Sequence, residues 1–147
     1  MRAARLAARA VELLGPVEGP VVLSCPAAAR LEGALVARVR TPRSGEVPAA
    51  AVVVLLGGPH CPQQRQPLLR ALQHALPRGA PLVLIDHNQP RSWGRRVLAV
   101  LALAVRGLAP ARARYPAARE LAALGFAVER LRLAAGERVQ LVRARRR

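Results

Sequence analysis

Two short apolar runs with a helical pattern between them restrict this chain more than any other feature of its sequence. Ala51-Val52-Val53-Val54-Leu55-Leu56 carries no polar side chain and stops at Gly57-Gly58-Pro59; Pro81-Leu82-Val83-Leu84-Ile85 stops at Asp86-His87-Asn88. A strand that is apolar at every position suits a sheet covered on both faces, which is the usual state of parallel strands. Between the runs Leu68, Leu69, Leu72, Ala75 and Leu76 recur at helical spacing, with Arg70, Gln73 and His74 on the opposite side. Strand, helix and strand then form a right-handed crossover between parallel neighbours.

The flanks extend the same alternation. Met1 to Leu14 places Arg2, Arg5, Arg9 and Glu12 on one helical face and Leu6, Ala10, Leu13 and Leu14 near the other, and Gly15-Pro16 ends it. The segment lacks the continuous apolar core of a secretory signal, so we read it as an ordinary first helix. Pro20 to Cys25 is expected to be a first strand and Ala34 to Val39 a second, while Thr41 to Pro48 reads as a loop. Pro116 opens a helix that Gly125 closes. Phe126 to Leu133 and Arg138 to Arg143 are then strands, and the short link Ala134-Ala135-Gly136-Glu137 makes them an antiparallel hairpin. The uncharged run Val97 to Val105 is too short for a bilayer that needs about 20 apolar residues. It is expected to be a buried helix, with a lid over a hydrophobic ligand as the alternative.

Length and composition bound the class. A chain of 147 residues is expected to form one domain with a core of its own. Only Trp93, Tyr115 and Phe126 are aromatic, so that core is built from Ala, Val and Leu. All 24 basic residues are Arg and Asp86 is the sole Asp, the usage of a GC-rich bacterial genome. The formal charge of +16 attracts nucleic acid, anionic lipid or acidic protein. The arginines are scattered with few aromatics to stack on bases, which favours a solvated surface over a nucleic-acid site. The cluster Arg143, Arg145, Arg146 and Arg147 reads as a frayed tail. Cys25 and Cys61 lie far apart without metal-ligand spacing, consistent with reduced cytoplasmic thiols and no metal site.

A three-layer α/β, Rossmann-like domain with a mostly parallel sheet ending in an antiparallel C-terminal hairpin resembles the class I S-adenosylmethionine-dependent methyltransferases. Leu76 to Asp86 is similar to that family's passage of leader, proline, glycine, apolar strand and acidic residue into its fifth strand. Arg119 to Glu129, with Gly125-Phe126 at its centre, is similar to the passage into the sixth, and Gly136 to Ala144 stands where the last, antiparallel strand belongs. The resemblance covers about residues 50–145. Residues 1–49 depart from it. The turn Ser24-Cys25-Pro26-Ala27-Ala28-Ala29 has no glycine where family members bring backbone close to the cofactor. Arg38-Val39-Arg40 stands where an acid would hold the ribose, and Cys25 to Ala51 is short for the family's two further strand–helix units, so one is expected to be missing.

The resemblance implies an S-adenosylmethionine-dependent methyltransferase acting on a small, lipophilic or aromatic acceptor, with Trp93 and the helix after it as the acceptor's cover. Open α/β sheets bind ligands at the carboxyl ends of their strands. That edge carries Ser24, Cys25, Gly57, Gly58, Asp86 and Asn88 as candidate cofactor contacts and His60 and His87 as candidate bases, histidine titrating near pH ~6.5. His60 is otherwise a loop residue between prolines, and Asp86-His87-Asn88 a polar turn. Two further classes compete: a catalytically inactive relative that binds a protein partner through Val97 to Leu108, and an Arg-rich nucleic-acid-associated protein.

Overall fold

The computed structural model describes residues 3–56, 58, 62–105 and 116–147. Ten elements succeed one another in chain order: α1 (Ala3–Leu14), β1 (Val21–Ser24), α2 (Ala29–Val36), β2 (Ala50–Val54), α3 (Pro62–Ala75), β3 (Pro81–His87), α4 (Trp93–Ala104), α5 (Pro116–Ala123), β4 (Phe126–Ala134) and β5 (Val139–Arg146). The strands form one sheet in the order β1-β2-β3-β5-β4. β1, β2 and β3 are parallel, with Val21 opposite Ala50 and Ala51 opposite Leu82. β5 enters antiparallel to β3 and pairs antiparallel with β4. The mostly parallel sheet finished by an antiparallel hairpin is the architecture expected from the sequence.

Alternation along the strands divides the core into two layers. Val52, Val54, Val83, Ile85 and Leu141 face Leu6, Leu13 and Leu14 of α1 and Leu31 and Leu35 of α2. Val53, Leu82, Leu84 and Val142 face Leu69 and Leu72 of α3 and Leu121 of α5. All five residues of β2 are buried, which is why its sequence is apolar without interruption. α1 buries Leu6, Ala7, Ala10, Leu13 and Leu14, and ends at Gly15, where φ is +79°.

The structure corrects four expectations. Ala34 to Val36 belongs to α2 and Ala37 to Val39 to its closing turn, so no strand lies there. Leu31 and Leu35, one helical turn apart, are the buried pair, and the alanines around them favour helix. The stretch between β1 and β2 therefore holds one helix and no strand, so both of the expected further units are absent from it rather than one. Second, α4 is not a core helix. Ala99 is buried, but Leu98 and Leu101 are 62% and 56% exposed, because α1 and α2 already fill one sheet face and α3 and α5 the other. Third, Arg143, Arg145 and Arg146 of the terminal cluster are strand residues, and only Arg147 lies beyond β5. Arg143 and Arg145 both pair with Glu129 at a bulge in β4, and Arg146 donates to the Leu76 carbonyl. Lastly, Arg38-Val39-Arg40 comes after a helix rather than a strand, and the Arg40 carbonyl accepts the Val21 amide at 2.7 Å.

Candidate functional site

The parallel strands end together at one edge of the sheet, where the chain must reverse direction three times, and each reversal shapes the residues at its strand end. After β1, Ser24 and Cys25 are half-buried, and the Ala28 amide donates to the Cys25 carbonyl at 3.3 Å, closing the turn into α2. Ala28, at the helix N-cap, supplies no side-chain acceptor. Burial pushes the Cys25 thiol up to about 11, and the charge of Glu32 in the first turn of α2 adds to the effect. After β2, Gly58 takes φ +136° and its amide donates to the Leu55 carbonyl, a conformation that favours glycine. Gly57 and His60 lie outside the described residues.

At the end of β3 neighbouring side chains go to opposite faces. Asp86 turns toward α3 and α5, where its Oδ2 accepts a hydrogen bond from Arg65 Nη2 at 2.7 Å and its Oδ1 accepts the His87 amide at 2.7 Å. The same Arg65 nitrogen donates to Glu120 Oε2 at 2.6 Å, with Arg65 Nε donating to that oxygen at 3.0 Å. Burial works to lower the Arg65 pKa, but Asp86 and Glu120 outweigh it and hold it above the ordinary value. Asp86 is thus engaged by a buried arginine, apart from the turn after β1.

His87 faces the other way. It lines a cavity of about 180 Å³ with Asn88, Ala99 and Ala102 of α4, and Ala135, Arg138 and Val139 of the hairpin. The walls are tied together by hydrogen bonds that reach across the edge. The Asn88 amide donates to the Arg138 carbonyl at 2.8 Å and Asn88 Nδ2 to the Glu137 carbonyl at 2.9 Å. The Arg91 amide donates to Glu137 Oε2 at 2.8 Å, and Gln140 Nε2 to the His87 carbonyl at 2.8 Å. Gln89, nearly buried, leaves its Oε1 without a partner.

The structure therefore joins His87 and Asn88 in one cavity, sets Ser24, Cys25 and Gly58 along the same edge, and sends Asp86 to the opposite face. Three groups escaped sequence reasoning. Arg138 reaches the cavity because β5 inserts antiparallel, so its leading turn falls at the edge where β3 ends; the hairpin pattern held that signal. Glu32 becomes visible once α2 is read as a helix. Arg65 and Glu120 meet Asp86 across two helices, which no local pattern records. Among the described residues no cluster of His, Cys, Asp and Glu could hold a metal ion, and no helix is long and apolar enough to cross a membrane.

Comparison with solved structures returns methyltransferases. The mitomycin 7-O-methyltransferase MmcR matches 99% of this chain with a TM-score of 0.60 and 17% identity, the match covering 53% of MmcR. Human N-acetylserotonin methyltransferase, solved in complex with SAM, matches 97% with a TM-score of 0.60 and 12% identity, over 51% of its own length. OxaC in complex with SAH and oxaline matches 86% with a TM-score of 0.55 and 15% identity, over 35% of its length. This chain spans about half the length of the first two and about a third of OxaC. No family model matches the sequence, and no curated protein matches it. The fold is methyltransferase-like.

Proposed function

We propose that residues 1–147 form one methyltransferase-like domain that takes S-adenosylmethionine at the carboxyl edge of its sheet and methylates a small lipophilic acceptor beside His87. The observation that carries this reading is the cavity of about 180 Å³ at that edge, walled by Ala99, Ala102, Ala135 and Val139 and furnished with His87, Asn88 and Arg138. Concave apolar pockets with a few polar groups are the usual form of small-molecule sites. When bound, the cofactor supplies a sulfonium methyl group open to direct displacement.

The residues along the edge suit such a ligand in chemistry. Glu32 is a carboxylate beside the β1 turn, able to accept from ribose hydroxyls where the sequence offered only arginines. Gly57 and Gly58 carry no side chain, so backbone can come close to a ligand. Ser24, Cys25 and Asn88 complete the contacts. Asp86 acts at one remove: its carboxylate fixes Arg65 on one side and the His87 amide on the other, orienting the strand end. His87 takes the acceptor's proton as general base, with His60 as the alternative base. α4 keeps water from the acceptor through Ala99 and Ala102. The chain's own work is to hold acceptor and donor in line.

A second reading has its own observation behind it. The turn after β1 is closed by the bond from Ala28 to Cys25, contains no glycine, and leads into a helix without a side-chain cap. A catalytically inactive relative that uses the same edge for another small molecule needs no more than that. Calorimetric titration of the folded protein with S-adenosylmethionine and with S-adenosylhomocysteine separates the two. Micromolar binding that Glu32→Ala weakens supports the methyltransferase reading; no heat at several temperatures from a protein shown to be folded leaves the inactive relative.

A further inference from the structure

α4 carries a feature that a small-molecule site does not use. Trp93, Val97, Leu98 and Leu101 are 81%, 37%, 62% and 56% exposed, and Val105, in the turn just past the helix, is 89% exposed. At about 100° per residue they fall within one arc of about 140°. Buried Ala99 lies opposite that arc, and exposed Arg95 and Arg96 flank Ala99 on its two sides. The helix thus presents hydrocarbon outward and guanidinium groups at its shoulders.

Further arginines stand around the same edge. Arg91 precedes α4, Arg138 lines the cavity that α4 covers, and Arg5 and Arg9 of α1 line an open cleft of about 760 Å³ against the hairpin turn. One carboxylate at this edge, Glu137, is engaged by the Arg91 amide. An apolar stripe between cations on a chain of charge +16 needs a partner that offers both hydrocarbon and negative charge. A second copy offers the first but not the second, since it carries the same excess of arginine over acids.

We propose that α4 is an interfacial anchor that lays its Trp93 to Leu101 face on an anionic lipid bilayer. A helix of 12 residues is about 18 Å long, too short to span and suited to lying in the headgroup plane. Tryptophan prefers that boundary, and flanking arginines reach phosphate groups from it. The anchor stands whether or not the edge performs methyl transfer.

Trp93 is the only tryptophan, so its emission reports on this face alone. The test mixes the protein with vesicles of phosphatidylcholine plus phosphatidylglycerol and with vesicles of phosphatidylcholine alone. Expected are cosedimentation and a blue shift of Trp93 with the anionic vesicles only, deepened quenching by bromine on the acyl chains, and weakening by salt. Leu98→Glu with Leu101→Glu lowers partitioning about tenfold or more, and Arg95→Gln and Arg96→Gln lower it about fivefold each. All four positions are exposed, and circular dichroism checks that the variants fold. Absence of cosedimentation by the folded protein overturns the proposal, as does equal binding to neutral vesicles. A doubled mass with Trp93 shielded before lipid is added gives the face to a second copy, and shielding by polyglutamate but not by vesicles gives it to an acidic protein; either result overturns the anchor.

Discussion

Arg65 lies between two carboxylates where water reaches poorly, its side chain being 10% exposed, that of Asp86 4% and that of Glu120 18%. Removing the guanidinium leaves two like charges close together and partly desolvated, a loss of about 3–5 kcal/mol for buried pairs of this kind. Arg65→Met is expected to fall in that range in urea denaturation at neutral pH, and adding Asp86→Asn to recover part of the loss. A change below about 1 kcal/mol would show the cluster to be solvated. The sequence singled out Asp86 as the only Asp at a strand end, but not its partners, which lie 21 residues before it and on another helix. Cys25 gives a second prediction at this scale. Its folded pKa of about 11 lies above the ordinary 9.0, so the neutral thiol is favoured in the fold. The stability this brings is complete below about pH 9 and is lost as pH rises through about 11. In a Cys61→Ser background, alkylation of Cys25 by iodoacetamide should therefore accelerate with a midpoint near pH 11, and Glu32→Gln should lower that midpoint. A midpoint below 9 in the folded protein would rule out both causes.

The turn between β4 and β5 shows how an element's local conformation can run against its residues. Ala135, Gly136 and Glu137 take φ of +52°, +64° and +69°, three left-handed residues in succession of which one is glycine. Glu137 holds its place because its carboxylate accepts the Arg91 amide and its carbonyl accepts from Asn88. The Ala135 methyl can make no such bond, and relieving its strain should stabilise. Ala135→Gly is expected to add about 1 kcal/mol, raising Tm by about 2–4 °C in a thermal scan. An unchanged or lower Tm would mean that the backbone entropy of glycine cancels the relief. Helix and strand were hardest to tell apart where the apolar segment was short. Ala34 to Val39 fits either period, and only the spacing of Leu31 and Leu35 selects the helix. Full burial of α4 fails for a different reason: a continuous apolar run specifies that a face will be covered, while the sheet's other helices decide whether the chain itself covers it.

Across the whole molecule the legible parts are those whose environment is uniform. β2 and β3 are buried on both faces and say so at every position, and the hairpin announces itself by the four residues that join its strands. The candidate site was half legible, because strand ends can be placed from sequence whereas the face to which each side chain turns depends on register. Part of the basic charge is used within the molecule. Arg132, Arg143 and Arg145 are held by Glu12 and Glu129 across α1, β4 and β5, and Arg40 is held by Glu46 within one loop, so some of the scattered arginines of the sequence are ties between elements. β5 comes after every other strand of the sheet in the chain yet lies inside it, bonded to β3 on one side and β4 on the other. During synthesis the parallel half can assemble early, but β3 keeps an open edge until β5 emerges. Ribosome-bound nascent chains that stop short of Val139 are thus left with an unfinished sheet, and closure of the fold is timed by the strand of the sheet that is made last.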